Sequence, residues 1–291
     1  MANNKLVVNE RQRQLGNFLV GRLLPFKKKR QVGPYTFIDH MGPSEIKPGG
    51  YIDVDQHPHI GLSTLTYLFE GAIEHRDSIG SVQNIHAGDV GFMTSGKGVT
   101  HTERTPKHMR TGSSHIMHGY QIWVALPKAF EDMEPRFDYF AAQDIPAWDT
   151  DACSLRLVAG TAFGKTAPLV GFSSLFMVDV LAQEETTLDL RNQLEGEVAF
   201  VVVKGCIQID GEAIEAGQMC ISTTDNACSI HLQKEARVLL FGGKPLPEEP
   251  LLSWNFVSSD RDKLKQARID WDARRFPKVP GDDTYIPFPK I

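Results

Sequence analysis

Two short motifs constrain this chain more than any other feature: His57-Pro58-His59 and, further along, His101-Thr102-Glu103. Each sets two potential metal ligands at positions i and i+2. In a β-strand such side chains point to one face. His57 and His59 can therefore reach one point from one strand, and His101 and Glu103 can reach it from another. Three imidazoles and one carboxylate form a mixed N/O donor set suited to a first-row divalent metal. With four protein ligands, an octahedral ion keeps two exchangeable positions, where water, substrate or dioxygen can bind. Nine of the ten histidines lie between His40 and His118, so the site belongs to the first half of the chain.

The surrounding pattern agrees with strands. Leu65, Tyr67 and Phe69 alternate along one run that ends at Glu70-Gly71. Short runs at 72–77, 82–85 and 90–93 are separated by Ser78-Ile79-Gly80-Ser81 and His86-Ala87-Gly88-Asp89, and Ser95-Gly96-Lys97-Gly98 leads into Val99-Thr100-His101. A strong run over 119–126 closes at Pro127. Strands this short and this regularly punctuated predict an all-β antiparallel barrel or sandwich. Residues 128–152, rich in proline, acid and aromatics, read as an inter-domain linker, which divides the chain into 1–135 and 136–291. The β rhythm then restarts at 172–181, 199–203 and 207–212, where Asp210-Gly211 is a hairpin signature, and continues at 218–222, 228–232 and 237–241. This second half holds only His231, and reads as a copy of the first barrel without the metal. Ser258-Ser259-Asp260 predicts a helix N-cap, with a helix over 261–273 and an extended tail over 277–291.

Composition narrows the function classes. A net charge of -5 argues against a direct nucleic-acid partner. No run approaches the roughly 18 apolar residues a membrane helix needs, and no apolar signal region follows Met1, so a cytoplasmic location is expected. A nuclear fraction is the alternative for a eukaryotic source, weakly supported by Lys27-Lys28-Lys29-Arg30, which reads better as a solvated loop. Cys153, Cys206, Cys220 and Cys228 show no C-x-x-C spacing and read as reduced thiols.

His75, His86, His108, His115, His118 and His231 read as packed or surface histidines, while His40 is kept as a residue of the site's rim. Ligand type alone leaves iron, manganese, copper, nickel and catalytic zinc open. Glu103 has two readings: a fourth ligand, or a general base that takes a proton from a bound hydroxyl. A divalent ion with one carboxylate keeps a net positive charge, which favours an anionic or deprotonable substrate.

The blocks Gly50 to Leu62, with its His57-Pro58-His59, and Tyr67-Leu68-Phe69-Glu70-Gly71 resemble the first conserved block of the pirins, a family of the cupin superfamily. Gly88 to Glu103 resembles their second block, and Gly119 to Pro127 and Phe241 to Leu246 are similar to further pirin positions. The resemblance implies a bicupin: two antiparallel β-barrel domains of jelly-roll type, packed face to face, with metal in the N-terminal one only. It implies His57, His59, His101 and Glu103 as ligands of a metal that is most often Fe(II). Many cupins carry an acidic ligand soon after His-x-His; here Ser63 stands in that neighbourhood, and the pirin pattern takes its carboxylate from Glu103. Two activities attach to the family. One is dioxygenation of flavonols such as quercetin, with a small aromatic enol and dioxygen as partners. The other is regulation, through a protein partner such as a transcription factor or metabolic enzyme. Some other metal chemistry is the third reading. The expected assembly is a monomer or weak oligomer.

Overall fold

The computed structural model describes residues 5–223 and 229–289. Met1–Asn4, Cys228 and Ile291, which the sequence reading touched, lie outside the described residues. Strand makes up 54% of the described residues and helix 8%, so the all-β expectation holds.

Contacts divide the chain into two units that interleave along the sequence. The histidine-bearing unit comprises 12–20, 38–142 and 247–291; the second unit comprises 1–11, 21–37 and 143–246. The main crossing from one unit to the other along the chain is at 142/143. The termini do not follow a single cut: the helix and tail, assigned above to the second half, are counted with the histidine-bearing unit.

The strands around the histidines are β1 (Arg11–Leu15), β2 (Phe18–Leu24), β3 (Tyr35–Ile46), β4 (Asp53–His59), β5 (Leu62–Glu70), β6 (Ala72–Asp77), β7 (Val82–His86), β8 (Val90–Thr94), β9 (Val99–Arg104), β10 (His115–Ala125) and β11 (Arg136–Phe140). They form a seven-stranded sheet in the order β11-β8-β5-β10-β3-β2-β1 and a four-stranded sheet in the order β4-β9-β6-β7. The jelly-roll is thus built from two sheets, and the described residues show no closed barrel. Gly61 links the sheets between β4 and β5. Its φ is +66°, and a Cβ there would stand 1.9 Å from the Val257 carbonyl oxygen, so the turn admits only glycine.

The expected linker has structure of its own. Its segment β11 pairs antiparallel with β8, Arg136 opposite Thr94 and Phe140 opposite Val90. The physical reason is the Phe137-Asp138-Tyr139-Phe140 run: aromatic residues supply strand propensity that proline-rich flanks concealed.

The second unit repeats the plan, with an eight-stranded sheet and a four-stranded sheet of Thr186–Asp189, Ser229–Leu232, Cys206–Ile209 and Glu212–Glu215 in that order. The Asp210-Gly211 hairpin is present: both residues have positive φ, 51° and 77°, as a type I′ turn requires. The C-terminal helix, α1 (Arg261–Asp272), starts where expected, with the Asp260 carboxylate accepting from the Asp262 amide at 2.8 Å. Its buried residues Leu264, Ala267 and Trp271 follow helical spacing and pack with Ile60 and Phe256. That apolar stripe explains why the helix belongs with the histidine-bearing unit. Among the described residues, no helix is long and apolar enough to cross a membrane.

Candidate metal centre

Strands β4 and β9 are antiparallel neighbours, with His101 opposite His57 and Val99 opposite His59. The register brings three imidazoles to one face, as the i, i+2 spacing predicts. Pro58 is tolerated within β4 because that strand lies at the edge of its sheet, where a missing N–H costs no ladder bond. One ligand-type nitrogen from each of His57, His59 and His101 lies within 4.8 Å of the others, and all three residues are buried.

The hydrogen bonds on the far side of each ring define what the cluster presents. His57 Nδ1 donates to the Asp55 carbonyl at 2.8 Å, and His59 Nδ1 donates to the Asn255 carbonyl at 3.0 Å. His101 Nδ1 lies 3.4 Å from His75 Nδ1, and His75 Nε2 lies 3.1 Å from Asp77 Oδ2. Burial alone would raise the Asp77 carboxyl, but hydrogen bonds from His75 and Ser81 outweigh it and hold the group below its ordinary value. An ionised carboxylate only accepts, so His75 Nε2 carries the proton. His75 thereby links the Asp77 carboxylate to His101 Nδ1. The Nε2 atoms of His57 and His59 are left as lone pairs, and His101 Nε2 faces the same cluster.

The electrostatics agree. Burial pushes His57 down to about 4 against the opposing pull of the Asp55 carbonyl, and burial also holds His59 and His101 well below the ordinary imidazole value. The three rings are therefore neutral at pH 7, the form that ligates metal. Yet His59 Nε2 and His101 Nε2 stand only 3.1 Å apart. Three buried, uncharged imidazoles crowded this closely form a donor set that fits a divalent transition metal, with the Asp55 and Asn255 carbonyls and His75 holding the rings in place.

Glu103 lies two residues beyond His101 on β9, but its carboxylate is not part of the cluster of atoms within 4.8 Å. The β4–β9 register shifts between His101 and Glu103, so that Glu103 faces Val54 on one side and His75 on the other. A shift of this kind changes the direction of the side chain that follows it. Burial pushes its carboxyl up to about 7. Ser63 is buried and bonds Thr94 at 3.1 Å.

His40 packs in an aromatic group of its own. It stacks on Tyr120 at 4.5 Å and meets His118, with Nε2 atoms 3.0 Å apart. Two residues of the centre escaped the sequence reading. His75, grouped above with packed histidines, and Asp77 form a third i, i+2 pair, on β6 next to the ligand strand, and that spacing was the available signal. Phe137 stacks on His75 at 4.3 Å, and the Trp123 ring meets the His59 edge at 5.0 Å.

Comparison with known proteins agrees with this arrangement. The family model named Pirin matches residues 16–124, and that of the pirin C-terminal cupin domain matches residues 177–277. A pirin-like protein of Caulobacter vibrioides is 40% identical over 98% of this chain and 99% of its own. The chain belongs to the pirin family. Among solved structures, this pirin resembles a quercetin 2,3-dioxygenase from Acinetobacter baumannii with a TM-score of 0.90 and 33% identity, covering 99% of this chain and 95% of that one. It shares its fold with a bacterial pirin from Escherichia coli crystallised in complex with nickel(II), with a TM-score of 0.65 at 21% identity, over 83% of this chain and 100% of that one.

Proposed function

We propose that this pirin is a metal-dependent dioxygenase acting on flavonols such as quercetin, or on a related aromatic enol, with iron as its metal. The observation that supports this best is the set of three neutral imidazoles whose ring nitrogens converge, with Glu103 two residues along the same strand. His57, His59 and His101 would hold the ion, with Glu103 as the base and a ligand only if its side chain turns inward. Bound divalent iron supplies Lewis acidity toward an enol oxygen and one-electron chemistry toward dioxygen.

The protein's own groups prepare the substrate. Glu103 takes the proton from the enol hydroxyl, a task suited to a carboxyl near 7 at neutral pH. The Asp55 and Asn255 carbonyls and the His75–Asp77 pair keep the three rings in one orientation. Trp123, at 6% exposure, and Phe137 exclude water from the sides of the histidine cluster.

The test is anaerobic loading of the purified protein with Fe(II), followed by quercetin under air. Loss of the flavonol absorbance with release of carbon monoxide is expected, and His101→Ala abolishes both. The rate rises with pH through about 7 and levels off above it, because the base works only when ionised. Glu103→Gln removes that limb and lowers the rate by roughly 10²–10⁴-fold. Stoichiometric iron binding without turnover would exclude quercetin as a substrate.

A further inference from the structure

The chain neighbours of the histidines are held from outside the cluster by the last part of the chain. Gln56 precedes His57 and is 3% exposed. All four of its hydrogen-bonding groups engage the tail. Its amide donates to Thr284 Oγ1 at 3.1 Å, and its side-chain Nε2 donates to the Thr284 carbonyl at 2.9 Å. Its side-chain Oε1 accepts from the Val279 amide at 2.6 Å, and its carbonyl accepts from the Ile286 amide at 2.9 Å. The free edge of β4 is thus paired by tail residues, as an exposed strand edge would otherwise invite.

The same segment reaches the other ligand strand. The Thr100 hydroxyl, beside His101, donates to the Pro277 carbonyl. Arg104, beside Glu103, donates to Asp282 at 2.8 Å and to Thr284 Oγ1 at 3.1 Å. The segment is anchored in turn on α1. Trp271 Nε1 donates to the Ile286 carbonyl at 2.9 Å, and the Trp271 ring stacks on Tyr285 at 4.4 Å. Residues beyond 277 lie outside the part of the chain that the family models match.

We propose that residues 277–286 form a strap that sets how tightly the centre holds its metal, with Gln56 and Thr284 as positioning residues. The proposal rests on the metal-site reading above. The physical reason is pre-organisation: β4 is an edge strand, and the three nitrogens keep their mutual geometry only if that strand is fixed on both sides. With the strap released, Gln56 loses its partners, the backbone entering His57 is freed, and the imidazoles diverge.

Manganese(II) serves as the probe, because its binding and its electron paramagnetic resonance spectrum are read without turnover. The full-length protein, Thr284→Val, Thr284→Ser and Gln56→Met are loaded, and the rate of metal loss to excess chelator is followed. Thr284→Val deletes the hydroxyl that Gln56 and Arg104 share, whereas Thr284→Ser keeps it. Thr284→Val and Gln56→Met are expected to release manganese about 10–100-fold faster, the range for lost outer-shell support, with a broadened spectrum. Thr284→Ser should restore both. Trp271→Phe, which removes the anchor bond to Ile286 and trims the ring contact with Tyr285 away from Gln56 itself, gives a smaller change in the same direction and guards against misfolding of Gln56→Met. Unchanged release and spectra in folded Thr284→Val and Trp271→Phe, with normal binding by the parent, would overturn the strap and leave the metal site standing. Failure of the parent protein to bind manganese would overturn the metal-site reading, and the strap with it.

Discussion

The two units carry the same strand plan around opposite interiors. In the second unit the interior is apolar: Leu155, Val178, Phe200, Val202, Ile207, Ile230 and Leu232 are among its fully buried residues. In the histidine-bearing unit the buried set includes Gln56, Thr66, His75, Asp77, Thr94, Thr102 and Gln121 beside the three histidines. The strand Ser229–Leu232 holds the place in its sheet that β9 holds in the other. It buries Ile230 and Leu232 and carries His231 between them, on the opposite face. One interior gains stability from burial of apolar surface. The other carries buried polar groups whose cost hydrogen bonds only partly offset, since Thr102 Oγ1 and Gln121 Nε2 have no hydrogen-bond partner among the described residues, and gains a cluster of imidazole nitrogens. The difference teaches that a cupin plan sets where a site can be, while the inward-facing residues decide whether there is one.

The largest effect that would break this contrast is in the apolar interior. Phe200→Ala is expected to destabilise the protein by about 3–5 kcal/mol, because Phe200 is completely buried. Manganese binding per folded molecule should be unchanged. Urea unfolding together with metal titration checks both, and a parallel loss of metal would show that the second interior supports the first.

Next is the response of the metal-free protein to acid. His57 falls from 6.5 unfolded to about 4 folded, so the unfolded chain binds more protons between those values. The contribution is fully present above pH 6.5 and is lost as pH falls toward 4. It amounts to something on the order of 3 kcal/mol for His57 alone, with His59 and His101 acting in the same direction. Urea unfolding at pH 7 and pH 4 measures most of it, and His57→Leu should flatten the slope. An equal slope in that variant would mean that the buried imidazoles are not what acid attacks.

How much of this was legible in sequence follows from the kind of signal each feature leaves. His57, His59 and His101 announced themselves because strand periodicity and ligand chemistry point to the same residues. The Asp210-Gly211 hairpin and the Asp260 cap were legible for a similar reason, since a local backbone need selects particular residues. The structured linker was hidden because β11 is fixed by its pairing with β8, a long-range contact. His75 and Asp77 were present as a spacing but lacked meaning until β6 was seen to lie beside β9. The bulge between His101 and Glu103 depends on the register of two strands and leaves no mark on the motif itself. The strap was read as an extended tail, and nothing in its composition names Gln56 as its partner.

Asp77→Asn probes the polar interior through a tautomer. An asparagine amide can donate to His75 Nε2, which moves the ring proton to His75 Nδ1 and makes it a donor toward His101. His101 Nδ1 must then accept, and its proton moves to Nε2, the atom that faces the cluster. Metal affinity should fall by about 10–100-fold. Unchanged affinity in a folded Asp77→Asn protein would mean that His75 packs beside His101 without setting its protonation.

The smallest effect tests the other side of the comparison. His231 sits on the strand that corresponds to β9, and in sequence it reads as a packed or surface histidine. The structure turns it outward, with Nε2 3.0 Å from Glu185 Oε1 and Nδ1 3.2 Å from the Thr187 hydroxyl. Its side chain is 35% exposed and that of Glu185 is 68% exposed, so solvent screens the pair. His231→Ala should change stability by no more than about 0.5 kcal/mol and leave metal stoichiometry and release rate as they were. A fall in stoichiometry would place a metal in the second unit and end the contrast. No change would locate metal binding in the face of the strand that a histidine occupies, since β9 and its counterpart both carry one.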